Sequence, residues 1–272
     1  MGIELTQITA LLPALLISSD PRARRAAAKC AANLALHPDY IPVIGRSEIV
    51  DPLLRLLAPS VDLQTRRHAA RAVSNLSANT LCRMLMMRSG TLNACLQLLK
   101  QPDQDRDLLC YSVKTIAAYA QAPIPDAASK LASKPIINSL LSASESRDEQ
   151  VQRHAVITIA AISGTPNGHR VLVQCRVFET LAASCFGRDP KWKIAADTER
   201  YAVMAMANLA AFDVYHPYLQ HVGWKQLSLH AKSGGDDMAK SLSNFWDKNM
   251  RPGDSSQKQM FFCAHKRLSL SP

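Results

Sequence analysis

Residues 68–77 read HAARAVSNLS, and three of their side chains could do chemistry: the imidazole of His68, the guanidinium of Arg71 and the carboxamide of Asn75. Metal binding is the first use to test. No cysteine or carboxylate joins His68 or His154 at ligand spacing, and His216 and His221 stand five apart, off the one-turn spacing that aligns two ligands, so a structural role is expected for them and no metal site. Catalysis is the second. The chain has no glycine-rich phosphate loop, no GxSxG and no HExxH, and its 10 glycines are scattered. The expectation is a non-enzymatic protein without cofactors, in which these polar groups hold a partner.

The same ten residues place Ala69, Ala72, Val73 and Leu76 on an apolar stripe at helical spacing. Their pattern returns as AAAKCAANLA (26–35), YSVKTIAAYA (111–120), HAVITIAAIS (154–163), YAVMAMANLA (201–210) and DMAKSLSNFW (237–246). Positions equivalent to Asn75 are Asn33, Ala118, Ala161, Asn208 and Asn244, giving separations of 42, 43, 43, 47 and 36 residues. A period near 43 in an all-helical pattern indicates an α-solenoid. An LxxLL-like element precedes each echo, as in IVDPLLRLLAPS (49–60), and a short segment ending in a basic or glycine break precedes most of those, as in CRMLMMRSG (82–90) and HRVLVQCR (169–176). Each unit therefore reads as short helix, helix, longer helix. Asp20 before Pro21 reads as an N-cap, and Ser146 with Glu149 as a capping box.

With Asn75 as origin, the helical angle of about 100° per residue puts the positions four, seven and eight earlier on its face. Positions six and three earlier and one later lie opposite. The opposite side is mostly small or core-forming: Ala69, Ala72 and Leu76 in this unit, Ala155, Thr158 and Ile162 in a later one. That side is packing. On the Asn75 side, the eighth position earlier holds Arg25, Arg67, Cys110, Arg153, Arg200 and Asp236. The seventh holds Ala26, His68, Tyr111, His154, Tyr201 and Asp237, and the fourth holds Lys29, Arg71, Lys114, Ile157, Met204 and Lys240.

The short helix closed by glycine, the LxxLL second helix and the A-a-x-A-L-s-N-L third helix together resemble the armadillo repeat. The resemblance spans about residues 5–247. It implies an all-α fold: a right-handed α-solenoid of about six armadillo-type repeats with a concave groove. The solenoid is expected over 1–249, with third helices near 21–36, 63–78, 105–121, 148–163, 197–211 and 236–248, and an irregular or partner-docked tail over 250–272. In armadillo proteins the third helices line the groove. The asparagines at this position hydrogen-bond the backbone of an extended peptide, which Asn33, Asn75, Asn208 and Asn244 match and Ala118 and Ala161 do not. Importin-α has tryptophan four residues before that Asn to stack on basic cargo; here no tryptophan occupies the place, so a basic localisation peptide is disfavoured. The resemblance to the β-catenin type of site implies an acidic extended segment instead.

The expected partner-binding groove thus comprises Arg25, Lys29, Asn33, Arg67, His68, Arg71, Asn75, Tyr111, Lys114, Arg153, His154, Arg200, Tyr201, Asn208 and Asn244. Trp192, in the long loop 187–198, is a possible anchor for a partner. The net charge of +10 fits an anionic partner without choosing one, so the alternative is a structural subunit of a large ribonucleoprotein or organellar assembly contacting nucleic acid or acidic subunits. The cysteines number 7, without CxxC and mostly within apolar helical patterns, and point to reduced thiols and an intracellular location, cytoplasmic or nuclear, or an organelle matrix. ALLPALLI (10–17) is too short to span a membrane and lacks the basic flank of a signal peptide.

Overall fold

The computed structural model describes residues 2–46, 48–101, 105–122, 127–165, 167–186 and 195–221. Every regular element among them is helical. The chain divides into two compact units, Met1–Ile124 and Pro125–Pro272. The first opens with α1 (Gly2–Leu16) and α2 (Pro21–Leu34), followed by two trios: α3 (Ile41–Arg46), α4 (Val50–Arg55) and α5 (Leu63–Ser77), then α6 (Thr80–Arg88), α7 (Thr91–Leu99) and α8 (Arg106–Ala120). The second unit has the trio α9 (Ala127–Leu131), α10 (Lys134–Ser144) and α11 (Glu149–Ser163), and the trio α12 (Gly168–Gln174), α13 (Val177–Phe186) and α14 (Ala196–Ala210). A 3-10 turn, Asp213–Tyr215, leads into α15 (His216–His221). The echoes of HAARAVSNLS lie in α2, α5, α8, α11 and α14, except DMAKSLSNFW, which is outside the described residues, as are Trp192, Asn244 and the segment 250–272.

Four of these long helices, α2, α5, α8 and α11, start where an aspartate can satisfy their free N–H groups, whereas α14 starts after Ala195 without a side-chain cap. Asp20 accepts from the Arg22 N–H at 2.9 Å, Asp62 from Thr65 at 3.1 Å and Asp105 from Leu108 at 3.3 Å. At α11 the capping box expected from Ser146 and Glu149 is not the arrangement found. The N-cap is Asp148, which accepts from Gln150 at 2.8 Å, and the Ser146 hydroxyl instead accepts the Asp148 N–H at 3.1 Å. An aspartate two residues nearer the helix reaches those donors with a full charge, and outcompetes the serine.

Within the first unit α2 packs on α5 and α5 on α8; within the second α11 packs on α14. The contact surfaces are made of small residues, with Ala28 and Ala32 of α2 and Ala69 and Ala72 of α5 fully buried. Such faces let neighbouring helices approach closely. Leu76, Tyr119, Ile162 and Leu209, each one residue beyond the Asn75 position, are fully buried in the core of their own units. Cys82, Cys95 and Cys185 are buried and Cys30, Cys110 and Cys175 half-buried; all six are free thiols. Burial pushes the Cys95 thiol up to about 12, so it stays protonated.

The break between first and second helix has a backbone requirement. Gly90, before α7, sits at φ 76°, and Arg176, before α13, at φ 58°. This left-handed region strains any residue with a Cβ, by about 1–2 kcal/mol. Arg176→Gly is therefore expected to stabilise the second unit by about 1 kcal/mol. Gly90→Ala is expected to destabilise the first by a similar amount, although an added Cβ there meets open space. Urea denaturation of each variant reads both.

Candidate functional site

In the first unit the third helices bring Arg25, Lys29 and Asn33 of α2, Arg67, His68, Arg71 and Asn75 of α5, and Tyr111 and Lys114 of α8 onto successive rungs. These cations divide into two sets. Arg25 Nη2 donates to Asp62 Oδ1 at 2.8 Å, and Arg67 donates from Nε and Nη2 to the two oxygens of Asp105 at 3.0 and 2.6 Å, with Asp107 at 3.5 Å. Each acceptor is the N-cap of the next long helix. One carboxylate thus caps its own helix and clasps the helix before it. The Arg67 guanidinium, more than any other influence, holds the Asp105 carboxyl below the usual range. Burial pushes the Asp62 carboxyl up, and its bonds to Thr65 and Arg25 outweigh that to leave it lowered.

Lys29, Arg71 and Lys114 form the other set; they make no ion pair among the described residues. Arg71 Nη2 donates to Asn33 Oδ1 at 2.5 Å, which ties α5 to α2, while its Nε is buried with no hydrogen-bond partner. His68 stands beside it. Its protonated form is disfavoured first by burial and then by the charges of Arg71, Lys29 and Arg25, with Asp62 opposing. Tyr111, also beside Arg71, has its hydroxyl pKa raised by burial.

The asparagines stitch neighbouring helices. Asn75 is only 8% exposed, and its Nδ2 donates to the Ala32 carbonyl at 3.1 Å. In the second unit Asn208 Nδ2 donates to Ser163 Oγ at 3.0 Å and to the Ala160 carbonyl at 3.5 Å.

The remaining site residues of the second unit follow a different chemistry. Arg153 pairs with Asp197 at 2.9 Å, Arg200 pairs with the same carboxylate at 3.2 Å, and the Arg200 guanidinium lies 5.5 Å from the Tyr201 ring centre. His154 Nδ1 hydrogen-bonds the Gln150 carbonyl oxygen at 2.7 Å. Where the first unit has Lys29, Arg71 and Lys114, the second has Ile157 and Met204, both buried. Among the described residues, unpaired positive charge at this phase is found in the first unit; Lys240, at the same phase, lies outside them.

Sequence reasoning missed the carboxylates. Their signal was present: Asp20, Asp62, Asp105 and Asp148 recur at 42, 43 and 43 residues, in phase with the helices they cap. Among the described residues no group of His, Cys, Asp and Glu could hold a metal ion, and no helix is long and apolar enough to cross a membrane. His216 Nε2 hydrogen-bonds the Ala210 carbonyl oxygen at 2.9 Å, closing the end of α14.

The profile of the Armadillo/beta-catenin-like repeat matches residues 37–78, which hold α3, α4 and α5. No curated protein matches the chain. Solved structures do. The designed armadillo repeat protein YIII(Dq)4CqI aligns with a TM-score of 0.76 at 20% identity, covering 91% of this chain and 100% of its own. A computationally designed armadillo repeat protein for modular peptide recognition aligns at 0.76 and 19%, covering 90% and 99%. The designed protein YIII(Dq.V1)4CPAF, solved in complex with the peptide (KR)4, aligns at 0.72 and 19%, covering 91% and 100%. Repeated helix trios, an armadillo profile over one of them and a shared fold over nine-tenths of the sequence agree: the chain has the armadillo-type helical-repeat fold.

Proposed function

We propose that this protein is a non-enzymatic scaffold that holds an extended, acidic protein segment along the third-helix face of residues 21–120. The observation that carries this reading is Arg71. Its guanidinium is anchored through Nη2 on Asn33 rather than on a carboxylate, beside Lys29, His68 and Tyr111. A planar cation fixed at one edge is preorganised for a carboxylate at another. Lys29 and Lys114 extend the positive charge one rung in each direction. The Asn75 carboxamide is taken up by the Ala32 carbonyl and holds α5 on α2 behind this face. Arg25 and Arg67 support this face through their ion pairs and contribute little free charge.

The comparison proteins sharpen the choice of ligand. Modular peptide recognition and a bound (KR)4 peptide belong to those designed proteins. In this chain a lysine- and arginine-rich peptide would meet Lys29, Arg71 and Lys114, and like charges oppose it. The free thiols fit an intracellular place of work.

The test is fluorescence anisotropy with three labelled probes: an extended Asp/Glu-rich peptide, its Lys/Arg counterpart and a single-stranded oligonucleotide. The acidic peptide is expected to bind most tightly, with a shallow dependence on salt. Tightest binding of the oligonucleotide, weakening steeply with ionic strength, would instead establish the nucleic-acid reading. Preference for the basic peptide would overturn the proposal.

A further inference from the structure

The first helix is apolar on two sides. Its inner side buries Thr9, Leu12 and Leu16 against the unit, while Ile8, Leu11 and Leu15 point outward at 43%, 62% and 43% exposure. These three recur at i, i+3 and i+7, one stripe along α1, and residues 7–19 contain no charged side chain. A repeat face on which nothing stacks is ordinarily polar. A helix that is apolar all round is normally a buried one.

Exposure at equivalent positions says the same of α2. Thr65, Ala72 and Leu76 of α5, and Leu108, Thr115 and Tyr119 of α8, are fully buried, Tyr119 reaching the Arg83 carbonyl of α6. Their counterparts in α2 are Ala23, Cys30 and Leu34, all half-buried. The face that α1 and α2 turn outward has the chemistry of an internal repeat interface, and no cover among the described residues.

We propose that the outer stripe of α1 is a self-association surface whose occupant is a second copy of this chain, the two α1 helices packing antiparallel about Leu11. The stripe is close to palindromic. Antiparallel pairing sets Leu11 against its symmetry mate and Ile8 against Leu15, to within about one residue's rise of 1.5 Å. A two-fold contact needs a patch complementary to itself, and a charge-free row of similar aliphatic side chains is one. The absence of charge along 7–19 also removes the feature that would select an oppositely charged partner over a copy. The contact centres on α1 and not on α2, because α2 carries Arg22, Arg24, Arg25 and Lys29, which would repel their mates. Helices of 15 residues, about 22 Å long, bury an area at or below the small end of specific interfaces. The dimer is therefore weak, with a dissociation constant on the order of tens of micromolar.

Sedimentation velocity of the full chain from about 2 to about 200 µM, a range chosen to bracket that constant, is expected to show a reversible rise from monomer to dimer. Leu11→Glu is expected to leave a monomer throughout with unchanged helical circular dichroism, since Leu11 makes no part of the core. Leu11→Cys, oxidised, is expected to give a disulfide-linked dimer that disappears when Leu15→Glu is added. A wild-type monomer at every concentration overturns the proposal. So does association that Leu11→Glu leaves unchanged, or a Leu11→Cys chain that cross-links no better than the native thiols. The third-helix face plays no part in this surface, so acidic-peptide binding should survive Leu11→Glu.

Discussion

Replacing Gly168 by alanine is expected to destabilise the second unit by about 3 kcal/mol or more, lowering the melting temperature by roughly 6–12 °C. The chain reverses between α11 and α12 in four residues, and Thr165 organises the reversal: its N–H and hydroxyl both donate to the Ile162 carbonyl, at 2.9 and 2.8 Å. Gly168 follows, donating its N–H to Thr165 Oγ1 at 3.1 Å. A Cβ there would lie 2.0 Å from the Ile162 carbonyl oxygen and 2.4 Å from Thr165 Oγ1. The first obstacle is backbone at the end of α11 and the second is the hydroxyl that holds the turn. Neither moves without loosening α12 from α11. Gly164→Ala is the control. Its Cβ would make ordinary contacts at 3.6 Å to the Ala161 carbonyl and Asn208 Nδ2, and it is expected to change stability by less than about 1 kcal/mol. Differential scanning calorimetry on both variants separates close approach from general intolerance of glycine replacement; equal melting temperatures would refute the steric account.

The fold was legible because its physics repeats. A stacked helix needs small residues where its neighbour lies, so Ala69 and Ala72 and their echoes had to recur at the repeat period. The site was legible only in part. Helical phase says which side a residue faces, and it assigns Arg67 and Arg71 to one side of their helix. It does not say which charges cancel, because the partner of Arg67 is Asp105, 38 residues on and one repeat away. Asn75 shows a second limit. Its phase matches a peptide-binding position, but nearby small residues let α2 approach until the Ala32 carbonyl meets the amide. Burial at that depth depends on how closely two helices pack, which no single helix encodes. Arg176 is a third case: HRVLVQCR ended on a basic residue where CRMLMMRSG ended on glycine, yet the left-handed backbone is common to both.

Arg67 and Arg71 stand one turn apart on α5 and are expected to fail in opposite ways. Arg67→Glu removes the clasp and brings a third carboxylate toward Asp105 and Asp107, so the melting temperature at neutral pH should fall by several degrees. The pH dependence identifies the cause. Asp105, with its carboxyl held low by Arg67, contributes stability above the ordinary carboxylate range and loses it as pH falls through its folded value. Arg67→Glu deletes that contribution, so its acid-induced loss of stability should be shallower than that of the wild type. Arg71→Glu breaks only the bond to Asn33 and no ion pair among the described residues, so the fold should persist while acidic-peptide affinity drops by about 10- to 100-fold. His68 reports on the same event. With its pKa held below the ordinary value by burial, Arg71, Lys29 and Arg25, it is neutral near pH 7, and the stability that rests on its neutrality declines as pH falls below about 6.5. An acidic ligand beside it restores the proton, so wild-type affinity should tighten as pH falls through that range. Arg71→Glu removes one source of the depression and should move the transition to higher pH. Thermal melts and anisotropy titrations of the two variants across pH decide the matter. If Arg71→Glu binds the acidic peptide as tightly as the wild type, the cation that carries the proposed function is not Arg71.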